Sequence, residues 1–322
     1  MRPFWDGHPQ LALELAEVRQ TIITRAATDD AEVQAAVHQL LESSGKMLRP
    51  AFVILSSKFG APDREKMIRI GAAVEMLHMA TLVHDDIIDG AATRRGMATL
   101  HALRGPREAV LVGDWLFASC FSLIADLAKT PENARSLSQL VARICGSELA
   151  QSADRHVVHT SVRRYLRRIA GKTAALFALS FHVGAEEGGC APEVCTVLRR
   201  LGYCLGMGFQ IIDDILDFDH AGAETGKPTG SDLSQGIYTL PAILGLLRDD
   251  GRLAGALARR PRGRRAVSRT ARLIVDRGGI DGARARARLY TERALREIGR
   301  LPSNGSRDIL SDVTERLLHR SY

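Results

Sequence analysis

Two short acidic stretches, Asp85-Asp86-Ile87-Ile88-Asp89 and Asp213-Asp214-Ile215-Leu216-Asp217, share the pattern D-D-x-x-D and lie 128 positions apart. On an α-helix residues i and i+4 share a face, so Asp85 with Asp89, and Asp213 with Asp217, each present two carboxylates in one direction. Carboxylates that close repel one another, and burying them without partners is costly. A hard divalent cation removes both penalties. Mg2+ suits this best, because it keeps several waters and binds through one or two carboxylates plus substrate phosphates. Two such clusters facing each other would hold a diphosphate through several metals.

Acids at helical spacing commonly form nothing more than a solvated face. Here both copies are flanked by Ile, Leu and Val rather than by polar residues, which argues against that reading. Cationic residues accompany them. Lys46 and Arg49, in Gly45-Lys46-Met47-Leu48-Arg49-Pro50, are three apart and on a helical turn would reach one anion, arginine as a fork and lysine as a point charge, although a basic pair alone is commonly just surface. Arg94-Arg95-Gly96 follows the first acidic cluster and suits phosphate oxygens close to metal. Gly171-Lys172-Thr173 ends like a phosphate loop, but the glycine needed five positions before Gly171 is Leu166, so it is not a Walker A motif. His84 beside Asp85 suggests a His-Asp metal hydrolase, yet no further His and Asp ligands stand at suitable spacing. His78, on an apolar helix, reads by itself as a core histidine.

The elements that must position these residues are helical throughout. Residues 68–88 are apolar on most faces, as in a buried helix. Residues 107–127, 135–153, 162–183 and 193–218 also carry helical periodicity. Breakers separate them: Gly60-Ala61-Pro62, Gly105-Pro106, Thr130-Pro131, Gly188-Gly189 with Pro192, and Gly226-Lys227-Pro228. No alternating run predicts a sheet, and no linker of disordered composition divides the chain. The expectation is an all-α protein of ten or more helices, with residues 1–322 forming a single domain.

At 322 residues, 45% hydrophobic and 25% charged, the chain has the composition of a soluble globular protein that needs no disulfide or structural metal to fold. Its five cysteines include no C-x-x-C pair, which points to free thiols rather than a zinc site. The N-terminus lacks the apolar core of a signal peptide, and no run approaches the ~18 uninterrupted apolar residues of a membrane span, so a cytoplasmic protein is expected. The net charge of +7 is uneven: residues 252–300 hold fifteen arginines against four acids. Clusters such as Arg259-Arg260-Pro261-Arg262-Gly263-Arg264-Arg265 suit a solvated loop or peripheral contact with anionic lipid. Without interleaved aromatic residues they do not suit single-stranded nucleic acid.

The motifs taken in order run G-K-x-x-R-P, E-x-x-H-x-A-x-L-V-H-D-D-x-x-D with R-R-G, G-D-x-L, G-K-T, F-Q-I-x-D-D-x-L-D, and T-G-K-P-x-G-x-D-L. This series, from Gly45 to Pro241, resembles the trans-polyprenyl diphosphate synthases, the head-to-tail prenyltransferases. The resemblance implies an isoprenoid synthase fold of antiparallel helices around a deep central cavity, and most simply a homodimer. It implies an allylic diphosphate held through Mg2+, three ions per site, by Asp85, Asp86, Asp89, Asp213, Asp214 and Asp217, with Arg94, Lys172 and Lys227 as further contacts. It places isopentenyl diphosphate against Lys46, Arg49, His78 and Arg95, and Thr173 and Gln210 beside the reacting carbons, so that Lys172, Thr173 and Gln210 form the catalytic group. The chain departs from the family pattern D-L-x-x-G-K-x-T, having Ile237 where many members have lysine. A class I terpene cyclase would need no second diphosphate pocket, and a regulatory subunit of a heteromeric synthase would tolerate loss of aspartates. The intact basic set and all six aspartates argue against both, though a catalytic subunit that needs a partner fits.

Product length depends on the helix entering the first motif. At ~1.5 Å rise per residue Thr81 lies about 6 Å and Leu77 about 12 Å below Asp85. In the family bulky residues at the positions of Ala80 or Thr81 mark short-chain enzymes. Both are small here, which predicts a medium- or long-chain all-trans product, with geranylgeranyl diphosphate as the alternative. Phe117, Phe121 and Leu123 are candidates for the floor.

Overall fold

Apolar residues recur at helical spacing in the first helices, as with Leu11, Leu15, Val18 and Ile22 in α1 (Pro9–Arg25), and these faces are buried. α2 (Ala31–Ser43) and α3 (Leu48–Ser57) follow, and α1 and α3 both pack on α4 (Arg64–Ile88). α4 is the buried helix expected from the sequence. It starts four residues earlier than the apolar run because Asp63 caps it, accepting the Lys66 N–H at 3.2 Å and satisfying a donor that a helix start leaves open. The computed structural model describes residues 4–43, 45–127, 131–218 and 230–318.

Among the described residues the one strand pair is a hairpin of two-residue strands, β1 (Thr93–Arg94) and β2 (Met97–Ala98), too short for alternation to reveal. Its turn residues Arg95 and Gly96 have φ of 53° and 79°, the paired positive values of a type I′ turn. α5 (Leu100–Leu127) contains the 107–127 helix. Gly105, at φ 82°, interrupts it just before Pro106, where the breaker pair stands. By length and composition α5 is apolar enough to cross a membrane. Much of that apolarity serves packing on α4: Leu116, Cys120 and Leu123 expose no surface, and the Cys120 thiol donates to Ala73 O at 3.2 Å.

α6 (Pro131–Ala153) precedes α7 (Val162–Ile169), one π turn (Ala170–Ala174) and α8 (Ala175–Glu187), where the sequence predicts one uninterrupted helix over 162–183. α9 (Pro192–Leu216) covers the last of the long expected helices. The chain then runs through α10 (Ser231–Gln235), α11 (Leu240–Leu246), α12 (Arg252–Ala258), α13 (Arg264–Asp276), α14 (Gly279–Gly299) and α15 (Gly305–Leu318).

The residues group into two compact units, Met1–Leu137 with Leu179–Arg199 and Leu301–Leu310, and Ser138–Ala178 with Arg200–Arg300 and Ser311–Tyr322. In the first, Phe52 stacks on Phe181 at 4.5 Å, and Gly184 lies so close to α3 that a Cβ would stand 2.2 Å from Val53 O. In the second, Phe218, Leu233, Tyr238, Leu253, Leu257 and Ile274 form a buried cluster, and α11 packs on α13 and α14. Gly206 of α9 meets Ala174, its absent Cβ lying 2.7 Å from Ala174 Cα.

Candidate active site

Both aspartate motifs sit at the C-terminal end of a 25-residue helix. Ile88 is the last residue of α4, and the Asp89 N–H donates to Asp85 O at 2.9 Å. Leu216 is the last of α9, and the Asp217 N–H donates to Asp213 O at 3.2 Å. The i, i+4 pairing expected from the spacing is therefore present in both. A helix C-terminus carries the negative end of the macrodipole, which disfavours carboxylates. Three aspartates at each such end are poorly placed for stability and well placed for a cation.

The six aspartates, alike in sequence, divide in the fold. Asp86 is buried, and its Oδ1 accepts from Arg94 Nε at 2.8 Å and Nη2 at 2.7 Å. Asp217 accepts the backbone N–H groups of Ser231 and Asp232 at 3.1 and 3.2 Å and so caps α10. Asp214 is buried and accepts from Tyr165 and Gln210. Asp85 and Asp89 keep part of their surface exposed, and Asp213 is exposed. Among the described residues no three His, Cys, Asp or Glu side chains converge as a closed metal cage. The hard oxygen donors present fit Mg2+, which needs only one or two carboxylates when phosphates supply the remaining ligands.

Of the basic residues expected from the sequence in the first unit, Arg49, Arg94 and Arg95 gather around α4. Gly45, Glu75, His78, Asp86, Arg94 and Arg95 line one concavity. The Arg95 guanidinium lies over Gly45, where a Cβ would stand 2.4 Å from Nη1. Glu75 belongs to the quoted E-x-x-H motif, but sequence reasoning gave it no role. It is 3% exposed, and burial raises its pKa against the pull of Arg49, Arg95 and Arg19. Arg49 falls to about 10, chiefly through burial, with Glu75 opposing and Arg95 reinforcing the shift. Lys46 Nζ stands 4.4 Å from the Phe4 ring centroid, and its carbonyl accepts from Trp5 Nε1 at 2.6 Å.

Burial, then Arg49, Arg95 and Arg94, hold the His78 pKa well below the ordinary imidazole value, so the ring is neutral and donates a single N–H. The unfolded chain takes up that proton and the folded chain does not, so stability falls as pH drops through the imidazole range. His78→Gln is expected to flatten the decline in thermal midpoint between about pH 7 and pH 5. Equal slopes for the two proteins would show that His78 is not held neutral.

Arg95 holds its left-handed φ of 53° at the first turn position of the hairpin, where asparagine is the favoured residue. An arginine kept there against local preference points to a use for its guanidinium. Arg95→Asn is expected to leave stability unchanged or raise it, while the KM for the isopentenyl diphosphate that the sequence resemblance places against Arg95 rises on the order of tenfold or more, as after loss of a charged hydrogen bond. An unchanged KM would remove Arg95 from the anion site.

In the second unit the π turn carries Gly171, Lys172 and Thr173. π turns inside helices frequently mark functional sites. Close contact with α6 accompanies it: a Cβ on Gly171 would stand 1.9 Å from Ser147 Oγ. Lys172 Nζ pairs with Glu148 Oε1 at 2.7 Å. Thr173 Oγ1 donates to Gln210 Oε1 at 2.7 Å, Gln210 Nε2 donates to Asp214 Oδ1 at 2.9 Å, and Tyr165 Oη donates to Asp214 Oδ2 at 2.5 Å. The fold thus joins Thr173 to Gln210 and extends the pair to the second aspartate motif. Burial raises Asp214 to about 7 although the bonds from Tyr165 and Gln210 pull it down.

Tyr165 was missed because a tyrosine on an apolar face reads as core. The only sequence signal is its place seven residues, about two helical turns, before Lys172. Tyr165→Phe keeps the ring and removes one donor to a buried carboxylate. Its expected effect is a lower thermal midpoint, by about 1–3 kcal/mol of stability, and kcat reduced about tenfold, an effect of about 1.4 kcal/mol. Wild-type kcat in this variant would show that the bond does not position Asp214. Lys227 lies outside the described residues.

Residues 30–274 match the polyprenyl synthetase family. Heptaprenyl diphosphate synthase component 2 of Geobacillus stearothermophilus is 35% identical over 312 residues, covering 97% of each chain. A crystal structure of geranylgeranyl pyrophosphate synthase from Lactobacillus brevis superposes with a TM-score of 0.93 at 32% identity, over 99% of this chain and 100% of that one. A polyprenyl synthase from Caulobacter crescentus, crystallised with calcium and isoprenyl diphosphate, gives 0.90 at 32% identity over 97% and 96%.

Proposed function

The chain belongs to the polyprenyl synthetase family, and from that premise we propose that it condenses isopentenyl diphosphate with an allylic diphosphate to give a medium- or long-chain all-trans polyprenyl diphosphate. The two compact units act in this reading as one catalytic domain. The observation that carries it is the repeated placement of D-D-x-x-D at the negative ends of α4 and α9, with Arg94 on Asp86 in the first and the Thr173–Gln210–Asp214 hydrogen bonds in the second. Kinship with the Geobacillus heptaprenyl enzyme, and the small Thr81 one turn below Asp85, favour a product longer than geranylgeranyl diphosphate.

Asp85, Asp89 and Asp213, with the remainder of both motifs, would hold three Mg2+ ions. Bound Mg2+ supplies Lewis-acid stabilisation of the departing diphosphate. Arg94, Lys172 and Lys227 add fixed positive charge for the allylic diphosphate. Lys46, Arg49 and Arg95 hold isopentenyl diphosphate, with neutral His78 donating a hydrogen bond. Cleaving the allylic C–O bond leaves a carbocation and a diphosphate anion, so the demand on the protein is preorganised electrostatics rather than acid–base chemistry. Thr173 commits its hydroxyl proton to Gln210 and retains oxygen lone pairs, a dipole that eases a cation without the nucleophilicity to capture it. After the new C–C bond forms, the released diphosphate takes the final proton.

The name of the Geobacillus relative supports a second reading, in which this chain is the catalytic component of a pair. Exposed Leu111, Trp115 and Phe121 on α5 support association, most simply as a homodimer. Incubating the purified chain with Mg2+, labelled isopentenyl diphosphate and farnesyl diphosphate, then sizing the dephosphorylated alcohols, tests both. A ladder ending at one long polyprenol supports a self-sufficient synthase, and one stopping at geranylgeraniol supports the shorter product. Elongation only after a second subunit is added supports the paired enzyme. Cyclised hydrocarbon would overturn the proposal.

A further inference from the structure

The arginine-rich segment has no part in the chemistry above. Its α12–α13 turn and the first turns of α13 surround a concavity of about 730 Å3 lined by Arg259, Arg260, Arg262, Arg265 and Arg269, the rest of the lining being alanine, proline and threonine. All five arginines are exposed. Among the described residues none of them is ion-paired, whereas nearby Arg252 and Arg277 are paired with Asp250 and Asp249. Five like charges around one space repel each other and contribute nothing to the core beneath, which Leu253, Leu257, Val267 and Ile274 build.

Backbone geometry fixes the arrangement. Arg260 takes a left-handed φ of 51°, which arginine rarely adopts, and Pro261 beside it is buried. Gly263, at φ 76°, opens α13 without a side-chain cap, and the first turn carries no acid. The positive end of a 13-residue helix is therefore added to the five guanidinium groups. Their field extends to His156, whose pKa is lowered by burial and then by Arg260, Arg262 and Arg155.

We propose that this concavity is a binding site for closely spaced phosphate groups. Guanidinium forks match phosphate oxygens in pairs, and the volume exceeds that of a single phosphate. The absence of aromatic residues from the lining removes the stacking platform that single-stranded nucleic acid uses. A free diphosphate and the phosphates of an anionic lipid surface share the required chemistry. The inference does not depend on the catalytic reading, since none of the five arginines belongs to it.

The test compares wild type with R259Q/R262Q/R265Q and with R199Q/R200Q/R288Q, which removes the same charge from exposed arginines elsewhere. Circular dichroism melting checks that each is folded. One arm is calorimetric titration with inorganic pyrophosphate in metal-free buffer. The other is co-sedimentation with phosphatidylcholine vesicles containing roughly a third phosphatidylglycerol, against phosphatidylcholine alone. Wild type and the second triple variant should show this site, in the pyrophosphate arm as a component separate from the catalytic cations, and the first should lose that component on the order of a hundredfold, since each basic residue contributes roughly fivefold at an anionic surface. Single R259Q and R262Q, each about fivefold weaker, preserve the test if the triple variant does not fold. Loss in the pyrophosphate arm identifies a soluble ligand, and loss in the vesicle arm alone identifies lipid. Equal binding by the two triple variants in both arms, or no binding by wild type in either, overturns the site.

Discussion

Replacing Asp213 by alanine is expected to lower prenyl elongation by a factor on the order of 10²–10³, the scale of losing one preorganised charge-stabilising group, while the protein becomes no less stable. Asp213 is exposed, and no described hydrogen bond or ion pair uses its carboxylate. Its charge opposes that of Asp214 and stands at the negative end of α9. Removing it relieves both repulsions, together about 0.3–1 kcal/mol in favour of the fold. A residue whose loss stabilises the protein and abolishes turnover is retained for the reaction. Asp217→Ala should behave differently, because its carboxylate caps α10 and loss of a cap costs about 1 kcal/mol. Steady-state rates at saturating Mg2+, with thermal midpoints, separate the two. Near-wild-type elongation by the Asp213 variant would remove the second motif from the active site.

The long helices, and the carboxylate pairs at their ends, were legible because periodicity and i, i+4 spacing are properties of single helices. α4 and α9 appear where the apolar runs stand, and Gly105-Pro106 breaks α5 where the breaker pair falls. Features that depend on contact between elements were not legible. The π turn at Ala170–Ala174 comes with the close approach of Gly171 to Ser147, which no local pattern records. The hairpin that aims Arg94 and Arg95 is too short to alternate. Tyr165 and Glu75 read as core and as one letter of a motif until burial and their partners give them roles. The different partners of Asp86, Asp214 and Asp217, alike in sequence, are likewise tertiary.

The product-length helix shows both sides of this, and it yields the other large expected effect. Thr81→Phe should shorten the polyprenyl product, whereas Ala80→Phe should chiefly destabilise the fold. The two small residues looked equivalent in sequence. In the structure Ala73, Leu77, Ala80 and His84, at three- and four-residue spacing, form the side of α4 that faces α5: Cys120 donates to Ala73 O, and Phe117 stacks on His84 at 5.5 Å. Leu77 and Ala80 accordingly have no exposed surface. A phenylalanine at 80 overpacks that seam, at about 1–3 kcal/mol. Leu77 also leaves the row below Asp85, because eight residues at 3.6 per turn drift about 80° around the helix. His78 and Thr81 stay close to that row, and both keep part of their surface exposed. A ring at 81 therefore fills space one turn below Asp85, where an elongating chain anchored by its diphosphate must pass. Sizing the alcohols from both variants decides the matter. A shorter ladder from Thr81→Phe with full-length product from folded Ala80→Phe is the expected pair, and full-length product from Thr81→Phe would show that the chain does not descend along this face of α4.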